Sequence, residues 1–172
     1  ALAFEDVVAA LADLKSLLSA EASQEEVMAR LLSAEEAGAM QVLTLTLLLP
    51  LPEITHLTIT LFLAMAFGSD AQADLFTAQL LQEEAFALFQ HALLAEALNG
   101  GPALPDFVVI LQKVSSRDPA GSIAQLDPAV VEKLHALAEG QGRGEGLSPE
   151  GEGESDDAAF LRQNVKSILR NI

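Results

Sequence analysis

The amino-acid sequence predicts an all-α fold. Apolar residues return at i, i+3, i+4 and i+7 spacing along most of the chain. Helix-start signals stand between those runs: Ser or Asp caps, acids in the first turn, proline at the first helical position. The 172 residues, 51% of them apolar and 20% charged, suffice for a sizeable core.

The elements follow in order. Phe4, Val7, Val8, Leu11, Leu14, Leu17 and Leu18 form one stripe, with Glu5 and Asp6 in the first turn, so residues 3–19 are expected to be helical. Ser23 with Glu26 and Ser33 with Glu36 are capping-box pairs, opening helices over 24–32 and 34–48. Pro50 and Pro52 stop the second of these. From Gln41 to Phe67 apolar residues alternate with Thr, which also suits two strands of a hairpin. A lone two-stranded hairpin is marginal and the flanks are helical in pattern, so two helices are preferred, with the hairpin left open. In buried helices the hydroxyls of Thr44, Thr46, Thr55, Thr58 and Thr60 can bond back to the preceding turn. Pro50, Pro52, Glu53 and His56 interrupt the stretch, and neither half reaches the ~20 residues a membrane span needs.

Gly68 ends a helix, and Ser69 or Asp70 caps the next, which runs to about Leu98 with a break near 81–83. Asn99-Gly100-Gly101-Pro102 closes it. A short helix over 105–114 and a polar loop over 115–126 follow. Asp127 then caps a helix whose first residue is Pro128 and which ends near Ala138. Residues 139–157 are Gly-rich and acidic, too poor in apolar side chains to offset ordering entropy, and read as a disordered loop. Ser148 before Pro149 is a candidate modification site within it. A last helix over 157–171 places Phe160, Leu161, Val165, Ile168 and Leu169 on one stripe and Arg162, Lys166 and Arg170 on another. The expected organisation is a helical body over 1–138, the loop, and a C-terminal helix over 158–172 docked on the body.

Composition excludes several functions. With no Cys there are no disulfides, thiolate zinc sites or cysteine nucleophiles. Twenty-five acids against nine bases give a net charge of −16, and Trp and Tyr are absent. Nucleic acid would be repelled and would lack most stacking platforms, so no direct nucleic-acid partner is expected. No basic stretch precedes an apolar run, so no signal peptide is expected. The expected setting is intracellular, cytoplasmic or nuclear. The first residue is Ala1 rather than Met.

No catalytic constellation emerges. His56, His91 and His135 are the histidines; no ExxH or HExxH pattern accompanies them, and His91 reads as a partly buried structural residue. Glu83 and Glu84 point in different directions on a helix, with no nucleophile or base to serve. Ser115-Ser116 and the glycine run match neither a nucleophile elbow nor a phosphate-binding loop. No cofactor and no metal are expected.

Charge distribution is the unusual feature. From Leu31 to Gln112 there is no Lys or Arg, whereas Glu35, Glu36, Glu53, Asp70, Asp74, Glu83, Glu84, Glu96 and Asp106 all fall there. The C-terminal segment carries Arg162, Lys166 and Arg170 and no acid after residue 157. The basic stripe can pair with the acidic body, meet a partner, or face solvent.

Ile54 to Phe67 reads as a buried helix ending in glycine, followed by a polar turn, a helix, and an apolar helix reaching Leu93-Leu94. This segment resembles an armadillo-type unit, and AAFLRQNVKSILRNI resembles the last helix of one. Phe160-Leu161-Arg162 with Lys166 to Leu169 is also similar to the end of the C-terminal helical-repeat domain of the Fanconi anaemia group E family. The resemblance implies stacked antiparallel helices in an armadillo/HEAT-like right-handed solenoid, with a compact helical bundle as the alternative. It implies a non-catalytic adaptor or scaffold that binds a segment of another protein within a larger complex. Arg162, Lys166 and Arg170 are the candidate partner-binding residues. The competing expectation is a bundle that binds a lipid or another small apolar ligand.

Overall fold

The computed structural model describes residues 4–20, 22, 24–32, 39–49, 51–139 and 156–171. The described residues form ten α-helices and no strand, so the fold is all-α. They are α1 Phe4–Ser19, α2 Gln24–Leu31, α3 Ala39–Thr46, α4 Pro52–Ala66, α5 Asp70–Leu80, α6 Glu83–Asn99, α7 Leu104–Arg117, α8 Pro119–Gln125, α9 Pro128–Ala138 and α10 Asp156–Asn171. The expected capping residues Ser23 and Ser33, the start of the 34–48 helix, Pro50, Ser148 and the loop residues 140–155 lie outside the described residues. Glu139 closes α9, and Asp156 and Asp157 already belong to α10.

The Thr-rich stretch is helical on both sides of the prolines, not a hairpin. Pro52 acts as a start signal, occupying the first turn of α4 where a missing N–H costs nothing. The hydroxyls of Thr44 and Thr60 bond the carbonyls of Met40 and His56 at 2.6 and 2.7 Å. Thr46 bonds Leu43 at 2.6 Å and meets Thr58 of α4 at 2.7 Å. Both helices can therefore bury Thr without an unsatisfied hydroxyl.

Local signals set most other boundaries. Ser69 and Gln72 form a reciprocal capping box at α5, and Gly100 ends α6 with a left-handed φ of 64°. The expected polar loop over 115–126 is a correction: α7 continues to Arg117, and α8 occupies most of the remainder. Asp118 caps α8 by accepting from Gly121 N at 2.9 Å, ahead of Pro119. That is the same Asp-Pro start that opens α9, where Asp127 accepts from Ala129 N at 2.8 Å.

Packing joins α1, α3, α4, α6 and α7 each to the helix three places further along. α1, α4, α7 and α10 lie side by side in one row, and α3, α6 and α9 form a second. α4 packs on α3, α7 on α6 and α10 on α9, while the short α5 and α8 fill in against α6 and α7. The core between the rows centres on Phe62, Phe76, Phe86, Phe89 and Phe107, all fully buried. Phe62 meets Phe76 edge-on at 5.5 Å between ring centroids, and Phe89 meets Phe107 at 5.4 Å. α4 and α7 sit mid-row, which explains why α4 is apolar on nearly every side.

Candidate partner-binding face

α10 ends the first row. Val165 and Ile168 are fully buried, and Leu161 and Leu169 pack partly buried against the core. Gln112 of α7 donates to Ser167 at 3.3 Å, fixing the helix about its axis. With that face inward, the four-residue spacing turns Arg162, Lys166 and Arg170 outward together. Lys166 and Arg170 are exposed and Arg162 is half-buried. Together with Ala159, Gln163 and Leu169 they line an open depression of about 660 Å³. Phe160, two residues before Arg162, leaves 56% of its surface exposed.

The structure thus brings all three predicted residues to one face. Among the described residues, neither Lys166 nor Arg170 forms an ion pair. The acidic body is instead met by Arg117, at the end of α7. Its guanidinium reaches Asp70 at 3.0 Å and Asp74 at 2.6 Å, both on α5. Hydrogen bonds to Asp70 and then Asp74 push the Arg117 pKa further up. One turn earlier, Lys113 stands 4.6 Å above the centre of the Phe67 ring. Lys113 and Arg117 are the first cations after the long cation-free stretch, the one signal in the sequence that marks them.

Several other polar groups hold the fold together. Glu96 accepts from Ala103 N at 3.1 Å and so closes the turn between α6 and α7. With His56, Asp106, Thr55, Pro52, Pro102 and Ala103 it lines a cavity of about 70 Å³. Burial pushes the Asp106 carboxyl above its ordinary range, and His56 nearby partly offsets this. No group of three His, Cys, Asp or Glu among the described residues is placed to hold a metal ion. His91 is exposed on α6 rather than partly buried, because the helix turns Phe89, Gln90, Ala92 and Leu93 inward instead. His135 is exposed on α9. Glu84 accepts from Gln41 of α3, tying the second row together. Ser115 and Ser116 both donate to the Gln112 carbonyl, at 3.1 and 2.8 Å.

Two amides that the sequence did not single out join α6 to the later helices. Gln90 is buried. Its Oε1 accepts from Asp127 N at 2.7 Å, and its Nε2 donates to the Gln125 carbonyl at 3.0 Å. Gln125 Nε2 donates in turn to the Leu81 carbonyl at 2.6 Å. Such amides are common in helices, and only their meeting in space distinguishes them.

Among the described residues, no helix is long and apolar enough to cross a membrane. No family model matches this chain, and neither does any curated protein or solved structure.

Proposed function

We propose that this chain is a protein-binding module, a non-catalytic helical-repeat adaptor of armadillo/HEAT-like, right-handed design. Its partner is another protein, engaged as part of a larger intracellular complex. The observation that carries this reading is the outer face of α10, where Lys166 and Arg170 stand beside Leu169 at the rim of an open depression. Two features of the packing support it. Two rows in which helices three places apart lie side by side suit stacked repeats, and such repeats offer extended surfaces for binding. Ser115 and Ser116 are bonded back to their own helix, and His91 and His135 are exposed on separate helices, which favours a binding role over a catalytic one.

Site-directed photo-crosslinking tests the reading. A photoreactive residue replaces exposed Gln163 beside the stripe or, as a control, exposed Ala71 on α5. The expected result in cells is a discrete protein adduct from position 163 and none from position 71. Adducts of equal yield from both positions, or none from 163, would refute it.

A further inference from the structure

The α10 face also specifies the kind of segment that fits it, an inference that rests on the protein-binding reading above. We infer that its occupant is an acidic amphipathic helix of another protein, carrying carboxylates four residues apart with an aliphatic residue on the same face. Three observations lead there.

The first is spacing. Lys166 and Arg170 are separated by four residues, about 6 Å along the helix axis. A second helix laid along α10 presents its own i, i+4 positions at the same interval, so two carboxylates can meet two cations in register. Neither cation is paired with a described acid, so no ion pair with one need break first.

The second is the mixed lining. Leu169 lies between the two cations in sequence and is only half-buried, and Ala159 extends the apolar lining. A purely ionic ligand would leave that surface wet. An aliphatic side chain between the carboxylates covers it, and the charges then form the polar rim of a small apolar contact. Gln163 supplies both a donor and an acceptor at the edge.

The third is the chain's overall field. A net charge of −16 opposes any extended polyanion, since a nucleic-acid backbone or an anionic bilayer brings charge against a broad area. A short helix with a few carboxylates touches α10 alone. The other cation cluster, Lys113 and Arg117, is already engaged by Phe67, Asp70 and Asp74. Charge complementarity therefore singles out α10 as the place where an acidic segment gains most.

The test is selection from a displayed library of random 16-residue peptides against the full chain. Enriched sequences are expected to carry Asp or Glu at i and i+4 with an aliphatic residue on the same face. Synthetic copies should gain helical circular dichroism on binding. Their affinity should fall by about tenfold or more in the K166E/R170E variant and weaken steeply with salt. Apolar or basic winners, winners that bind without helix formation, or binding unchanged in K166E/R170E would overturn the acidic-helix inference and leave the protein-binding reading standing. Failure to enrich any peptide over an unrelated control protein would count against both. Self-association of the wild-type chain that disappears in K166E/R170E would overturn the inference by making a second copy the occupant.

Discussion

Replacing Gln90 by leucine probes the joint between α6 and the α8–α9 turn. Leucine fills a similar space but can neither accept from Asp127 N nor donate to the Gln125 carbonyl. The Phe86 carbonyl loses only a long 3.4 Å side-chain bond and keeps its place in the helix ladder. Two backbone groups are thus orphaned. Each costs about 1–3 kcal/mol when fully buried, and the low end applies because both bonds are only partly shielded. Extra apolar burial by leucine offsets part of this, leaving a net loss of about 1 kcal/mol. For a chain of this length that lowers Tm by roughly 2–4 °C. Urea unfolding should show a lower midpoint with an unchanged slope. A companion variant, Gln90→Glu, separates hydrogen bonding from packing. Its carboxylate still accepts from Asp127 N but sets its second oxygen against the Gln125 carbonyl. Burial and that repulsion raise its folded-state pKa above the unfolded value. Its penalty is therefore full at neutral pH and shrinks as pH falls through the folded-state pKa, where the protonated acid donates again. A loss below about 0.5 kcal/mol for Gln90→Leu, or a pH-independent penalty for Gln90→Glu, would show that these two hydrogen bonds do not hold the joint.

Other expectations follow from the same packing. Phe89→Ala removes a ring that touches Phe62, Phe86 and Phe107, and should cost about 3–5 kcal/mol in urea unfolding. Gly100→Ala meets no neighbour within 4 Å, so only its left-handed backbone is penalised; the loss should be about 1 kcal/mol, with α6 otherwise intact by circular dichroism. Asp106 should titrate above an ordinary aspartate when followed by NMR. Because its folded-state pKa is raised, its contribution to stability is greatest below the unfolded value and declines as pH rises through the raised one. Asp106→Asn removes that pH dependence; a titration at or below the ordinary aspartate range would contradict the burial argument.

Sequence pattern and spatial neighbourhood divide what could be read in advance. α1, α5, α6 and α9 each announce themselves by a stripe or a cap, and the break between Leu80 and Glu83 lies where the periodicity falters. α8 went unseen because its seven residues are too short for a period to develop, although Asp118-Pro119 repeats the Asp127-Pro128 start signal. The strand-like alternation around Thr44 to Thr60 arises because α3 and α4 bury Thr beside aliphatic residues. The hydroxyls of Thr44, Thr46 and Thr60 are satisfied by carbonyls one turn back and that of Thr58 by Thr46, bonds that leave no trace in composition. The grouping of Arg162, Lys166 and Arg170 on one stripe was legible, since helical spacing alone sets it, but the direction in which the stripe faces was not. The partner of the acidic body was not. Arg117 lies 43 residues from Asp74 and 47 from Asp70 in sequence, and only the packing of α5 on α7 brings them together. The Gln90–Gln125 joint is hidden for the same reason.

The most direct test of the α10 binding face combines two readings on one variant. Crosslinking from position 163 is measured in wild-type and K166E/R170E backgrounds, and Tm is recorded on the same purified chains. The adduct is expected to fade with charge reversal while Tm holds within about 2 °C, since both side chains are exposed and unpaired among the described residues. An adduct that persists after charge reversal, or a Tm that falls along with it, would contradict a binding role for the stripe.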